Sequence, residues 1–599
     1  MWLAGALLAT IGCIVLAGFG FTPTVFGTQW RVLYFAVLCL GSFFIVWGPG
    51  LVYASYFRGW PHASVLVPAL VILFSSLTGW LVFWAWFISP VVGMLTSAGF
   101  LGLTVIGFLR RQSSLFTPEI SAPLIFSLLI SVFYLCVAGD RGHLEEGGIQ
   151  IAHRYWVSVD NVIPKLFADN LLVNRNELLT NTFGDWKFSD RPPLQTGMIL
   201  LLYGFADPSV RQPIYVVLGL VVNSLWILGL WAFLRTLKLD ERRIALIVLT
   251  TATVGAIYIN TIYAWPKMLA AALSFSVAII LMVRGLPVKF SSAVAGCAAA
   301  LAMLAHGGAA FGLIGFVFIA IPSLREWRIK GVLIGIVVAA CTYVPWMAYQ
   351  KVFDPPGDRL VKWHLAGTAI DRVDERPPAR AIIERYSEEG FRGTVANKIT
   401  NLRTLLGIPS HWAALSSQPA WDNELTGKIR QYLSQFLGPS PGLLLLGIFM
   451  LPFVKRVRRE FWVAPVFSII TVSSFAYVLI EFGAPGAASA WLHTAPYTLL
   501  LLWTSAGVIV LTGLRKFWST AIIAFSFSTF YMLWMHEFPV KSALTKAEMG
   551  EIDLGMSFGA LAAVIAMAVL ALRTRNFAEN SGSLGILAPQ AKNTILKDK

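Results

Sequence analysis

The residues best placed to do chemistry lie between Gly139 and Phe205, and within that stretch in the run VDNVIPKLFADNL…FGDWKFSDRPPLQTG, which begins around Asp160 and ends at Gly197. It is the longest polar interruption in the first half of an otherwise apolar chain. It sets a carboxylate, a basic residue and a double proline beside the point where apolar sequence resumes. A carboxylate such as Asp160, within hydrogen-bond reach of a hydroxyl or amine, takes its proton as that group attacks. A fixed cation such as Arg191 stabilises an anion that departs. The segment AGDRGHLEEGG adds Asp140, Glu145 and Glu146 as alternative acids, flanked by glycines that signal a loop.

The elements that hold these residues are membrane helices. Of the 599 residues 57% are hydrophobic and 13% charged, and the mean hydropathy is +0.70, values that exclude an ordinary soluble core. Apolar runs of roughly 17–25 residues, the length that crosses the hydrocarbon as helix, recur along the chain, and about sixteen are expected. The fold class is thus an all-α polytopic membrane protein. The net charge of +15 does not point to nucleic acid, because the basic residues sit in short turns. Arg58, Arg110, Arg111, Arg235, Lys238, Arg242, Arg243, Arg284, Lys289, Arg325, Arg328, Lys330, Lys455, Arg456, Arg458, Arg459, Arg515, Lys516 and the tail from Arg573 all fall on one side, which the positive-inside rule makes cytoplasmic. Both termini then lie in the cytoplasm, and the loops 139–212 and 350–438 face outward.

In finer division, residues 1–119 carry four extra spans, 120–349 a core, 350–438 an outer loop domain, 439–572 the C-terminal spans and 573–599 a disordered cytoplasmic tail. The runs 308–322 and 331–349 are expected as two spans joined by a basic cytoplasmic turn. Leu194–Phe205 is too short to span and is expected to be interfacial or re-entrant. Val159, Val162, Ile163, Leu166, Phe167 and Leu171 follow helical spacing, which predicts an amphipathic helix lying on the membrane with Asp160 at its start. Asp160 in that position also suits a helix cap. The five cysteines all lie in apolar segments without paired spacing, so neither a disulfide framework nor a zinc site is indicated.

Asp160, Ala168 and Leu171 on the helix, the turn Gly184-Asp185-Trp186, and Arg191-Pro192-Pro193-Leu194 opening the short apolar segment resemble, in order and spacing, the first outer loop of bacterial membrane glycosyltransferases of the GT-C superfamily. The branch they resemble contains the protein O-mannosyltransferases and the lipid A aminoarabinose transferases. YAWPKMLAAALSF is similar to that family's second outer loop, LAMLAHGGAAFGL to its Leu-x-x-Leu-x-Lys-Gly-Pro helix end with His306 in place of Lys, and Tyr343-Val344-Pro345-Trp346 to the Pro-Trp before its large outer loop. The likeness covers roughly Gly139 to Tyr349. Departures are the four extra N-terminal spans, about eight residues inserted around Asn174–Asn181, Asn161 where relatives often have Glu, and Lys267 where many have a carboxylate. The last two leave no basis for assigning a metal.

The resemblance implies transfer of a sugar from a polyprenyl-phosphate carrier to an envelope lipid, glycan or protein acceptor, at the outer face of a bacterial cytoplasmic membrane. Asp160 would be the base. Arg191, Lys267 and His306 would stabilise the departing phosphate, and Asp185 and Trp186 would hold the loop or line the sugar pocket. Two alternatives from other classes are a transporter or flippase for a lipid-linked glycan and a non-catalytic scaffold. A transporter is expected to keep ionisable residues at mid-span and to show a duplicated half, and neither feature is evident here.

Overall fold

The computed structural model describes residues 2–22, 30–111, 117–140, 144, 159–173, 182–183, 186–369, 374–405, 463–482 and 553–573, with a few positions between 505 and 530. The helices in chain order are α1 (Trp2–Gly18), α2 (Arg31–Ala54), α3 (Ala63–Ile88), α4 (Pro90–Arg110) and α5 (Pro118–Gly139), then α6 (Ile163–Val173) and α7 (Leu194–Tyr203). They continue as α8 (Arg211–Asn223), α9 (Leu225–Thr236), α10 (Glu241–Ala252), α11 (Gly255–Ile262), α12 (Lys267–Met282), α13 (Val288–Ala305) and α14 (Ala309–Phe353). Last come α15 (Arg359–Ala366), α16 (Pro378–Leu405), α17 (Val463–Ile480) and α18 (Leu554–Arg573). A two-stranded hairpin, β1 (Thr182–Phe183) with β2 (Trp186–Lys187), sits between α6 and α7, Phe183 opposite Trp186.

Nine helical runs among the described residues are long and apolar enough to cross a membrane. Several other expected spans are built from shorter pieces. The run 244–260 divides into α10 and α11, because Thr250 and Thr253 turn their hydroxyls back onto the carbonyls of Leu246 and Thr250 and Val254 is extended. Such a break is tolerated because its backbone is buried in protein. The expected span 439–454 lies outside the described residues, and 493–513 and 518–534 are described only at scattered positions.

The helical segment α14 is not straight. Phe311 and Trp346 line the same cavity, whereas 35 residues of straight helix would set them about 52 Å apart. The segment therefore doubles back. Its first arm places Phe316 against Phe233 and Phe275; its second lies on α13, where Gly335 meets Gly296 so closely that a side chain at Gly296 would strike the Gly335 carbonyl. These arms are the two runs expected as separate spans.

Two expectations change. The helix α6 does not rest on lipid: its apolar face is covered by protein, Phe167 stacking on Phe188 and meeting Phe83 and Tyr349. Amphipathic spacing reports that one face is covered and does not say by what. The short helix α7 is not interfacial either. All ten of its residues are buried, Gln195 and Thr196 donating to the carbonyls of Ala264 and Pro164, and Gly197 packs against the Gly79 backbone of α3 at a distance that admits no side chain.

The basic turns gather at one end of the bundle. Arg235 pairs with Glu241 at 2.5 Å and donates to the Ser64 carbonyl, Arg111 lies over Tyr56, and Phe57 packs on Phe290. The described parts of the two loops expected to face outward meet each other, Lys187 pairing with Asp354 and Arg359 with Asp190.

Candidate functional site

The site begins with a short 3-10 turn, Val159–Val162, that delivers Asp160 into the protein, 2% exposed. Its carboxylate accepts from Arg191 Nη2 at 3.1 Å and from the Tyr263 hydroxyl at 2.7 Å. Arg191 is positioned by the hairpin and the turn that follows it. Asp190 accepts from the Lys187 amide at 2.8 Å and faces Arg359 at 3.4 Å; burial raises its carboxyl from the ordinary value, and Arg359 opposes that. Asp354, just beyond α14, accepts from the Lys187 ammonium and from the Ser189 hydroxyl, and Gln350 donates to the Ser189 carbonyl. Pro192 and Pro193, with fixed φ, then lead into α7, whose first turn closes with the Gly197 amide donating to the Pro193 carbonyl.

The guanidinium of Arg191 lies between two indoles, its Cζ 3.9 Å from the Trp186 ring centre and 4.4 Å from that of Trp265. Each face contributes about 0.5–2 kcal/mol of cation–π attraction in a desolvated setting. Burial works against the Arg191 charge and Asp160 works for it. Among the described residues Arg191 Nε is buried and has no hydrogen-bond partner, while Nη1 donates to the Asp190 carbonyl and Nη2 to Asp160.

Trp265 comes from the turn between α11 and α12, where Ala264 takes a left-handed conformation, φ +57°. That costs a non-glycine residue roughly 1–2 kcal/mol. It lets Tyr263 and Trp265 stack with planes 2° apart, so that one reaches Asp160 and the other covers Arg191. Lys267 Nζ lies 5.1 Å from the Trp265 ring centre. His306 caps α13 with its ring 6.4 Å from Trp265; its Nδ1 accepts from the Gly308 amide, which leaves the proton of the neutral ring on Nε2. Desolvation, then the neighbouring Lys267, His364 and Arg191, hold this imidazole well below its usual value.

Five of the six residues singled out in the sequence thus gather in one cluster: Asp160, Trp186, Arg191, Lys267 and His306. Asp185 lies outside the described residues, as do Glu145 and Glu146. Asp140 is at another joint, its carbonyl accepting from the Asp553 amide beside Arg31. Both carboxylate oxygens of Asp160 are engaged, one by Arg191 and the other by Tyr263.

A cavity of about 350 Å³ opens beside the cluster. Trp186, Arg191, Trp265 and His306 form one part of its wall and Trp346 another. Residues of α15 and the end of α17 complete it, including Trp363, His364 and Glu481. It is a mostly apolar pocket with a few converging polar groups, the usual character of a ligand site. Comparison with known proteins finds no match. No family model, no curated protein and no solved structure matches the chain, so function rests on this cavity's chemistry. Tyr263, Trp265, Trp363, His364 and Glu481 carry parts of it that spacing alone did not assign. The signal available was a charged residue, Glu481, directly at the end of the apolar run LIEFGAPG.

Proposed function

We propose that the chain is a membrane glycosyltransferase of the GT-C type, moving a sugar from a polyprenyl-phosphate donor to an envelope lipid, glycan or protein acceptor on the outer face of a bacterial cytoplasmic membrane. The observation that carries this reading is the buried Arg191, held by Asp160 and flanked by two indoles, in the wall of an apolar cavity. A sugar phosphate on a lipid asks for that combination: a cation for the phosphate, flat aromatic faces for the sugar, and apolar wall for the first isoprene units.

In the reaction the acceptor oxygen attacks the anomeric carbon as the bond to phosphate breaks, with inversion in one displacement. Negative charge grows on the phosphate, and a guanidinium that cannot reorient stabilises it at no reorganisation cost. Asp160 acts through Arg191, holding its plane between the rings. His306, neutral, offers Nε2–H as a hydrogen-bond donor.

The test is mass spectrometry of envelope glycans and glycolipids from cells lacking the chain and cells in which it is restored. A sugar-sized increment that disappears with the chain and returns with it is the expected result. An unchanged glycan inventory refutes the reading. An increment lost from the acceptor while the loaded carrier builds up only on the cytoplasmic face favours a flippase instead.

A further inference from the structure

The cavity carries a second set of chemical groups that the phosphate-binding cluster does not use. His364, on α15, and Glu481, just past α17, are 117 residues apart in sequence and meet at 2.9 Å between His364 Nδ1 and Glu481 Oε1. Both line the cavity. The Glu481 side chain is 0% exposed, whereas that of His364 is 28% exposed. The contact is built rather than incidental. The Phe482 amide donates to the His364 carbonyl at 2.7 Å, and Lys398 and Asn401 of α16 both donate to the Glu481 carbonyl, at 2.7 and 2.6 Å. Trp363 sits against the imidazole at 4.7 Å between ring centres.

A buried carboxylate on Nδ1 fixes the imidazole tautomer with its proton on that nitrogen. It leaves Nε2 as a lone-pair acceptor and stabilises the imidazolium that forms when Nε2 takes a proton. Among the described residues His364 Nε2 has no hydrogen-bond partner. Glu481 Oε2 has none either, so a fully buried carboxylate has one side-chain partner, and protonation of His364 turns that contact into an ion pair.

Resting on the transferase reading above, we propose that His364 is the catalytic base that activates the acceptor hydroxyl, with Glu481 as its positioning residue. The acceptor O–H proton passes to His364 Nε2 while the oxygen lone pair forms the bond to the anomeric carbon. The bond from that carbon to the phosphate oxygen breaks, and its electron pair leaves with the carrier phosphate held at Arg191. Glu481 carries the charge of the resulting imidazolium. The cavity is thereby divided by task, the Arg191 side for the donor phosphate and the His364 side for the acceptor.

The test uses membranes from cells lacking the chain, carrying the parent, His364→Gln or Glu481→Gln at matched levels. The rate at which the sugar increment forms is read alongside binding of polyprenyl phosphate to each purified full-length protein. The expected result is transfer lowered at least 100-fold by His364→Gln and at least tenfold by Glu481→Gln, with polyprenyl phosphate bound within threefold of the parent by both. Transfer by His364→Gln within tenfold of the parent overturns the proposal and leaves the transferase reading standing. Loss of carrier binding by both variants makes the pair structural and also overturns it. A parent that adds no sugar defeats the transferase reading itself, a different outcome from either.

Discussion

Replacing Arg191 by Lys keeps one positive charge beside Asp160 and removes what is particular to a guanidinium. The planar group fills the gap between Trp186 and Trp265, 3.9 Å from one ring centre and 4.4 Å from the other; a compact ammonium cannot cover both faces. It also loses the forked donor set of a guanidinium that lines the cavity and, on our reading, donates to the carrier phosphate. A hydrogen bond to a charged group contributes about 1.5–3 kcal/mol, which at about 1.4 kcal/mol per decade is roughly a 10- to 150-fold change in affinity. The assay is equilibrium binding of polyprenyl phosphate and of the matching polyprenol to the purified chain in lipid nanodiscs. Phosphate binding is expected to weaken by that factor while polyprenol binding stays within twofold. Equal affinity of parent and variant for the phosphate refutes the reasoning, and so does a parallel loss for the alcohol, since either result means that Arg191 does not contact the phosphate. Arg191→Ala is less informative because it strands Asp160, 2% exposed, without its cation.

Asp160→Asn keeps the shape but removes the buried counter-charge of Arg191, a loss that costs about 3–5 kcal/mol when one partner of a buried pair is taken away; a clearly lower thermal midpoint in the same detergent is expected, and an unchanged midpoint contradicts the pairing. Gly197→Ala would bring a methyl within 2.0 Å of the Gly79 carbonyl and is expected to destabilise by about 1–3 kcal/mol, whereas Gly102→Ala, on an open face of α4, should be neutral or slightly stabilising. His306 is held well below its unfolded value of 6.5, so the folded state resists protonating it. Stability is therefore complete above about pH 6.5 and falls as pH drops below that, by up to about 1.4 kcal/mol per pH unit; thermal midpoints of His306→Gln measured from pH 7.5 to 5 should fall less steeply than the parent's, and identical slopes count against the assignment.

The membrane class, the helical content and the grouping of Asp160, Trp186, Arg191, Lys267 and His306 were legible because they rest on local signals: apolar run length, basic turns, and polar residues at span ends. What covers an amphipathic helix was not legible. The spacing of Val162, Ile163, Phe167 and Leu171 is the same whether Phe83 and Tyr349 or lipid lies opposite. One partner of Asp160 was also out of reach, because Tyr263 lies 103 residues away, next to the left-handed Ala264. The His364–Glu481 contact joins segments 117 residues apart, and neither residue stands in a recognisable motif.

The joint between the two ends of the chain sets a timetable for biogenesis. Arg31, at the start of α2, pairs with Asp553, 522 residues later, and α18 closes against α2 and α5, with Gly559 set close to Val32 and Cys136. At about 5–20 residues per second, translation delivers Asp553 roughly 25–100 s after Arg31. For that interval the faces of α2 and α5 that α18 later covers must be sheltered by lipid or by the insertion machinery. The first helices made are among the last to be sealed, so substitutions on those faces should be felt as lost yield during insertion before they are felt as lost activity.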